Sequence, residues 1–230
     1  MVRCLLLLAV AGLVGACGLI DPNVTNFDLG LPDKTFTVDT SKYFAVSGTY
    51  EGVACQPQGP DVCAAAEQAC HEGQCTGSCN ASSSTCDLTV VVAPWKNVDL
   101  YNEKQELHTI QDQPLIDVTI DAIHYEVSEN TLNVPTPQFD VYVAPATVMS
   151  PDSDEAQPIG TIGPVEAGAT VAPREFELTA DGRAALAARM GDFRTPFNII
   201  YASTMVLADG SPIPQGRLTA KISIEAHAGL

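Results

Sequence analysis

The sequence predicts an all-β protein, a β-sandwich of the immunoglobulin-like or jelly-roll-like type with one helix and a small disulfide-rich insertion. Three observations support this fold class. About eight to ten short stretches between residues 35 and 226 place apolar side chains at alternate positions, as half-buried strands do. Turn-forming residues separate these stretches, and only one stretch has the pattern of a helix. Many short strands joined by turns bury their apolar faces by packing one sheet on another.

The first 16 residues have the features of a secretory signal. Arg3 supplies a positive charge, and an apolar run of 12 residues follows from Cys4 to Gly15. At about 1.5 Å per residue this run would reach roughly 18 Å, whereas the hydrocarbon core of a membrane measures about 30 Å. The run therefore predicts a cleaved signal, residues 1–16, and not a membrane span.

Residues 14–17, Val-Gly-Ala-Cys, resemble the lipobox of bacterial lipoproteins. The resemblance implies that Cys17 becomes the first mature residue, carries a diacylglycerol on its sulfur, and is acylated on its amine, as with palmitate. Several acyl chains make attachment to a membrane stable. In Gram-negative lipoproteins a residue other than aspartate after the cysteine, here Gly18, favours the outer membrane. The alternative is an ordinary secretory signal in which Ala16 and Cys17 fit the motif by coincidence.

The mature chain is strongly acidic. The whole sequence has 28 acidic and 11 basic residues, a formal net charge of −17. Such a surface repels nucleic-acid phosphates and anionic lipids, so we expect no nucleic-acid partner and contact with the membrane through the lipid anchor alone. Residues 17–33 contain two prolines and three aspartates without a clear period, and are predicted to be a tether between lipid and domain.

Apart from Cys4 and Cys17, six cysteines fall within 32 residues, and in an oxidising compartment they predict three disulfides. They are Cys55, Cys63, Cys70, Cys75, Cys79 and Cys86. Fifteen pairings are possible, and the sequence does not choose among them. Residues 55–86 contain no Lys, Arg or aromatic residue, so disulfides must replace apolar burial there. Zinc bound by Cys70, His71, Cys75 and Cys79 is an alternative, but the paired C-x2-C spacing of structural zinc sites is missing.

Within the insertion, residues 62–70 are rich in helix formers, and a helix there would turn Cys63 and Cys70 towards the same partners. Residues 34–54 and 87–230 are assigned to the sandwich. The early strands predicted are Thr35–Asp39, and Tyr43–Val53 with a weakness at its glycines. Leu88–Ala93 is the next, ended by a proline.

The later strands follow the same alternation. Leu115–Val127 is long, and its apolar phase changes at Ile123, which predicts a bulge. Shorter strands are expected at Phe139–Val143, Ile159–Val165 and Arg174–Leu178.

The one helix expected outside the insertion is Thr179–Met190, with Thr179 as its N-cap and Gly191 at its end. After it come strands Pro196–Leu207 and Gly216–Ala226. The turn signal at residues 209–212 predicts that these two strands form a hairpin.

Three groups of side chains are candidate sites. Asp152, Asp154 and Glu155 offer carboxylates from one loop and are a weak calcium candidate, with a solvated acidic loop as the alternative. His124 and Glu126 lie on the same face of a predicted strand. They are either a general base and the carboxylate that orients it, or simply two exposed polar residues. Trp95 and Tyr101 are candidates for a carbohydrate platform, but a lone tryptophan beside a proline at a strand end is expected to pack into the sandwich.

The sequence contains no G-x-S-x-G, H-E-x-x-H, P-loop or G-x-G-x-x-G motif. The body of the chain resembles uncharacterised cysteine-containing lipoproteins of Gram-negative outer membranes, a resemblance that implies no activity. We therefore expect a non-enzymatic, lipid-anchored envelope protein that presents its sandwich and insertion to a protein or glycan partner, with no cofactor besides the lipid. The alternatives are an envelope hydrolase whose residues come from separate loops, and a purely structural envelope component.

Overall fold

Two antiparallel β-sheets form the framework of the chain in the computed structural model, which describes residues 26–56, 62–110 and 116–229. The predicted signal, Cys17 and residues 18–25 of the predicted tether lie outside these residues. The assignment of residues 26–33 to the tether is wrong, because Asn26–Asp28 and Leu31–Asp39 are strands and Leu29 and Leu31 are buried. No helix in the described ranges has the length and apolar character needed to cross a membrane. The all-β sandwich predicted from the sequence is confirmed.

Eleven strands are found in the described ranges, together with three α-helices and two 3-10 helices, Thr40–Lys42 and Gln105–Ile110. The strands are β1 (Asn26–Asp28), β2 (Leu31–Asp39), β3 (Cys75–Asn80), β4 (Thr85–Val92), β5 (Trp95–Val98), β6 (Asp117–Asn130), β7 (Phe139–Pro145), β8 (Gln157–Ile162), β9 (Val171–Glu175), β10 (Phe197–Leu207) and β11 (Arg217–Gly229). The helices are α1 (Ala64–Glu67), α2 (Leu100–Glu103) and α3 (Ala180–Gly191).

The first sheet has the order β1-β11-β6-β9, and β2 lies beside β1 along the same edge of β11. The second sheet has the order β3-β4-β10-β7-β8, and β5 continues the line of β4 along β10. In each sheet, two short segments thus pair in succession with one long central strand. The break between β4 and β5 falls at Pro94, which lacks the N–H that a continuous strand would need.

The long strands β6 and β11 follow the alternation read from the sequence. In β11 the side chains of Leu218, Ile222 and Ile224 are buried and Ala220 packs on the same side, whereas the alternate residues, such as Lys221, face outward. In β6 the register against β11 shifts at Asp121, which has no partner of its own. This is the predicted bulge: the extra residue keeps apolar side chains inside on both sides of the phase change.

The predicted hairpin between Pro196–Leu207 and Gly216–Ala226 is wrong. Strands β10 and β11 have nearly these bounds, but β10 belongs to the second sheet and β11 to the first. The connection between them crosses the sandwich, and Ile213 in the connection is buried. The turn residues mark a reversal of the chain, but they do not decide whether the next strand pairs with the previous strand or lies across from it.

The prediction of a strand at Tyr43–Val53 is also wrong. This segment makes only isolated bridges, from Phe44 to Cys70 and from Thr49 to Pro212. Gly48 has a φ of 95°, a conformation that breaks strand geometry and that side chains with a Cβ rarely adopt. The alternating pattern reflects the burial of Phe44 and Tyr50 beneath the insertion and not a continuous strand.

Helix α3 agrees with the prediction in detail. The Thr179 hydroxyl accepts a hydrogen bond from the Gly182 N–H at 2.9 Å, so Thr179 is the N-cap. Leu186 and Met190 are fully buried against the main core. Gly182 contacts β8 so closely that a Cβ there would lie 2.3 Å from the Ile159 carbonyl oxygen.

Most of the apolar side chains form one cluster between the two sheets, beneath α3, which we call the main core. Its largest fully buried members are Phe193, Phe197, Leu29, Leu100, Leu107, Ile123, Ile159, Leu186, Met190 and Ile199. A second, smaller cluster lies under the cysteine-rich segment. A third cluster has four buried residues, Val127, Leu132, Val165 and Leu218, so the described residues form three apolar cores of unequal size on one framework.

Candidate functional site

The six clustered cysteines form three disulfides, as predicted. The bonds join Cys55 to Cys79, Cys63 to Cys86 and Cys70 to Cys75. We call residues 43–56 and 62–86 the cystine lobe. The second half of the lobe is not separate from the sandwich, because β3 and the start of β4 belong to the second sheet.

The predicted helix over residues 62–70 is much shorter in the structure. Helix α1 has four residues, and Cys63 and Cys70 bond to different partners. Sulfur atoms of Cys55, Cys63 and Cys86 lie within 4.8 Å of one another, and this is the one potential metal-ligand group in the described ranges. All three belong to disulfides, so none is the free thiolate that zinc requires.

The lobe has its own small core, in which a tyrosine connects the polypeptide segments. Tyr50 is buried, and its hydroxyl donates a hydrogen bond to the Cys86 carbonyl oxygen at 2.7 Å. Its backbone N–H donates to the Ser211 carbonyl at 2.8 Å. Tyr50 thus ties the irregular segment to β4 on one side and to the β10–β11 connection on the other.

The edge of the second sheet is covered by α1. The Glu67 carboxylate on α1 accepts a hydrogen bond from the Gly77 N–H of β3 at 2.7 Å. A Cβ on Gly77 would lie 2.5 Å from the Cys63 Cβ, so only glycine allows this close approach. Because an uncovered edge strand invites pairing with other chains, α1 and its carboxylate protect β3 from edge-to-edge association.

The outer face of β3, β4 and β10 carries an uncharged patch, which we call the threonine–valine face. Its members are Thr76, Thr89, Val91, Thr204 and Val206. In the strand register Thr76 lies opposite Thr89, Thr89 opposite Val206, and Val91 opposite Thr204. Val91 is 43% exposed and Val206 is 57% exposed. This flat β-branched surface contrasts with a chain whose net charge is −17.

The calcium candidates lie in the loop between β7 and β8. Asp152, Asp154 and Glu155 are exposed, and their oxygens do not form a ligand group within 4.8 Å in the described part of the chain. Hydroxyl groups within the loop accept hydrogen bonds from its backbone: Ser150 from the Asp152 N–H at 3.2 Å and Ser153 from the Glu155 N–H at 3.3 Å. These turns shape the loop without directing the carboxylates towards one point.

His124 lies on the outer face of the first sheet, but its carboxylate partner is not the one predicted. Its Nδ1 is 3.5 Å from the Glu225 carboxylate, whereas Glu126 forms an ion pair with Lys221 at 3.2 Å. Ser223 lies directly opposite His124 in the register. No hydrogen bond joins these two side chains among the described residues.

Hydrogen bonds and ion pairs on this face and at the end of β2 shift the pKa of two side chains. Hydrogen bonds from Lys221 to Glu126 and Asp33 raise the pKa of Lys221. At Asp39, hydrogen bonds from the side chain and backbone of Ser41 lower the pKa of the carboxyl group. Both groups are solvent-accessible structural pairs, a common cause of such shifts away from functional sites.

The two aromatic candidates are in different environments. Trp95 is 38% exposed on β5, so the expectation that it packs into the sandwich is wrong. Tyr101 stacks against His108 and Phe193, with ring centroids 4.4 and 6.4 Å apart. Tyr101 is therefore held by intramolecular contacts, and only Trp95 offers an open ring.

Sequence reasoning missed the space between the sheets. Two apolar voids of about 50 and 40 Å³ lie there and share Val38, Phe139 and Leu218 in their walls. Tyr201 lines the smaller void, and its buried hydroxyl has no protein hydrogen-bond partner. Leaving a buried hydroxyl unpaired costs about 1–3 kcal/mol. Burial also raises the pKa of Tyr201 well above its ordinary value, which keeps the group protonated.

No known family model matches the chain, and no curated protein matches it. A solved structure from Desmodium yellow mottle tymovirus is 16% identical, with 100% of this chain and 97% of that chain covered. Its TM-score is 0.24, which carries no argument about fold or function.

Proposed function

We propose that this protein is a non-enzymatic, lipid-anchored protein of the bacterial cell envelope that presents the cystine lobe to a protein or glycan partner. The observation that carries the proposal is the threonine–valine face, because two of the three disulfides join β3 and β4 of this face to Cys55 and Cys63. An uncharged, flat and rigid surface needs little ordering when a partner binds.

The anchor rests on the lipobox resemblance at Cys17, with the outer membrane as its location. Eight residues lie between Cys17 and Asn26, the start of β1. Fully extended they would span about 30 Å. Such a tether would hold the domain near the membrane while leaving the cystine lobe accessible.

The partner-binding part is tested by crosslinking in cells that carry the full-length protein. Val206→Lys places a charge in the threonine–valine face, and we expect it to abolish recovery of the crosslinked partner. Met149→Lys is the matched control, because Met149 is 51% exposed and lies outside this face. Equal recovery with both folded variants would refute the role of the face.

The anchor is tested separately. Wild-type protein is expected to incorporate labelled palmitate and to fractionate with outer membranes, whereas Cys17→Ala is expected to do neither. Protease treatment of intact cells, with a periplasmic protein as control, then tells whether the domain faces outward or inward. Normal fractionation of Cys17→Ala would contradict lipid anchoring.

A hydrolase is the second candidate, because the His124 Nδ1 is 3.5 Å from the Glu225 carboxylate and Ser223 lies opposite His124 in the strand register, without a hydrogen bond between them. A carboxylate, an imidazole and a hydroxyl in this order are the groups of an acyl-transfer site. Turnover in a panel of esterase, peptidase and glycosidase substrates, abolished by His124→Ala and Ser223→Ala, would favour this candidate. Absence of turnover across the panel would remove the support for it.

A further inference from the structure

Strands β2 and β5 are edge strands of the two sheets and lie beside each other. Within the described residues β2 pairs only with β11 and β5 only with β10, and β2 and β5 contact each other. The walls of a surface groove at this contact include five exposed residues, which we call the β2–β5 edge: Thr35, Thr37, Lys42, Trp95 and Lys96. The edge therefore presents a tryptophan and two lysines to the outside.

The β2–β5 edge is a local positive site. Neither of its lysines belongs to an ion pair in the described ranges. The carboxylates of Asp33 and Asp39 on β2 are already paired with cations of β11, at 3.2 and 3.3 Å. Lys34 and Glu103 neutralise each other at 2.6 Å. Two cations thus remain for an outside partner in a chain whose net charge is −17.

The predicted lipid anchor would enter on the same side of the sandwich. Strands β1 and β2 follow each other along one edge of β11, and β1 begins shortly after Cys17 in the sequence. β1 pairs with the end of β11 at Gly229, whereas the Asp39 end of β2 pairs with its beginning at Arg217. These points are about 40 Å apart along the strand. A protein held at both points would lie with this side against the membrane.

We propose that the β2–β5 edge rests on the membrane that holds the anchor, with Trp95 at the depth of the lipid headgroups and with Lys42 and Lys96 against anionic phospholipid phosphates. This inference rests on the lipid anchor of the proposed function. Tryptophan is favoured at headgroup depth, and lysine combines an apolar stem with a cationic end.

The net charge of −17 led to the expectation that the anchor alone contacts the membrane. At physiological ionic strength, however, exposed charges farther away than about 8 Å are largely screened. Once the anchor holds the domain at the surface, the second contact is intramolecular and needs little affinity of its own. The local charge of the edge then decides which side of the domain faces the lipids.

The chain contains its own reporter, because Trp95 is its only tryptophan. The mature chain, residues 17–230, can be coupled through the Cys17 thiol to a maleimide lipid, since its six other cysteines form disulfides. The vesicles contain phosphatidylethanolamine and phosphatidylglycerol with brominated acyl chains, which quench a tryptophan only at close range. We expect quenching of Trp95 in these vesicles and much less in brominated phosphatidylcholine. Complete coupling without quenching would overturn the proposal.

Variants test charge and position separately. Lys42→Gln and Lys96→Gln are each expected to lower the ratio of docked to undocked protein about fivefold. Arg174→Gln removes an exposed cation from β9, at the opposite edge of the first sheet, and should leave the ratio unchanged. Moving the tryptophan to that edge, in Trp95→Phe with Ala172→Trp, should abolish quenching. Equal quenching at both positions, or quenching that ignores both lysines, would refute the proposal.

Failure of the anchor and failure of the docking give different results. Chemical coupling supplies a lipid at Cys17 whether or not the cell attaches one. Absence of palmitate incorporation in cells would refute the anchor and, with it, the docking. Absence of quenching in the coupled protein would refute the docking alone.

Discussion

The main core and the cystine lobe stabilise the same framework by different means. The main core packs large aliphatic and aromatic side chains between the sheets and beneath α3. In the small core of the lobe, four of the eleven buried residues are half-cystines: Cys55, Cys63, Cys70 and Cys86. The comparison shows that cross-links replace apolar burial where the sequence supplies few large apolar side chains.

The two regions share a strand of the second sheet. Strand β10 contributes Phe197 and Ile199 to the main core and Leu207 to the lobe. The small core of the lobe therefore includes residues of the sheet, whereas none of the buried residues of the main core is a half-cystine. This asymmetry leads to four predictions.

The largest effect is expected from reducing all three disulfides, each of which stabilises by roughly 2–4 kcal/mol. Without them the lobe should unfold while the main core persists. Hydrogen exchange is expected to accelerate across residues 62–86 and to remain slow in β6 and β11. A protease that cleaves after glutamate should cut at Glu67 and Glu72 only after reduction. Simultaneous loss of protection in both regions would show that the lobe is integral to the sandwich.

Leu186→Ala is expected to destabilise the whole domain and not the lobe alone, because it changes the main core. Leu186 is fully buried on α3, and a Leu→Ala change at such a site costs about 2–5 kcal/mol. The free energy of unfolding from urea titration should fall by this amount for the whole domain. Val206→Ala, at an exposed position, is the control and should change it by less than about 0.5 kcal/mol.

Within the lobe, the disulfides should differ in how much each stabilises the folded state. Cys63 and Cys86 are 23 residues apart, whereas Cys70 and Cys75 are 5 apart. Loop-closure entropy then gives about 3.5 kcal/mol for the first bond and about 2 kcal/mol for the second. The difference in the free energy of unfolding is measured by urea titration of two double variants. One carries Cys63→Ala and Cys86→Ala, and the other carries Cys70→Ala and Cys75→Ala. Equal losses would mean that chain entropy does not explain how the lobe is held.

The smallest effect is expected at Asp39, where β2 passes into the lobe. Its lowered folded pKa means that its carboxylate stabilises the folded state above the unfolded pKa of about 3.9, and that this contribution disappears as pH falls through the folded value. Asp39→Asn should therefore lower stability at pH 7 and reduce its dependence on pH below about 4. Asp117→Asn, an exposed carboxylate on β6, is the control for a general charge effect in the same pH titration.

Elements with a single strong local signal were predictable. The N-cap of α3, the bulge in β6 and the two faces of β11 all depend on residues adjacent in sequence. The segment Tyr43–Val53 was not predictable, because its alternation has the same appearance whether a strand or an irregular segment buries Phe44 and Tyr50. Of the residues considered for a site, the structure brings together the cysteines, whereas the carboxylates of the acidic loop stay apart.

The sequence by itself determined the fold class, the acidic surface, the presence of three disulfides and the composition that makes them necessary. Only the tertiary structure decided which cysteines pair, that β10 and β11 lie in opposite sheets, and that the buried Tyr201 hydroxyl lines an apolar void. The physical reason is the range of the interactions. Strand periodicity and caps are set within a few residues, whereas disulfide partners and cavity walls are brought together by chain paths that span most of the domain.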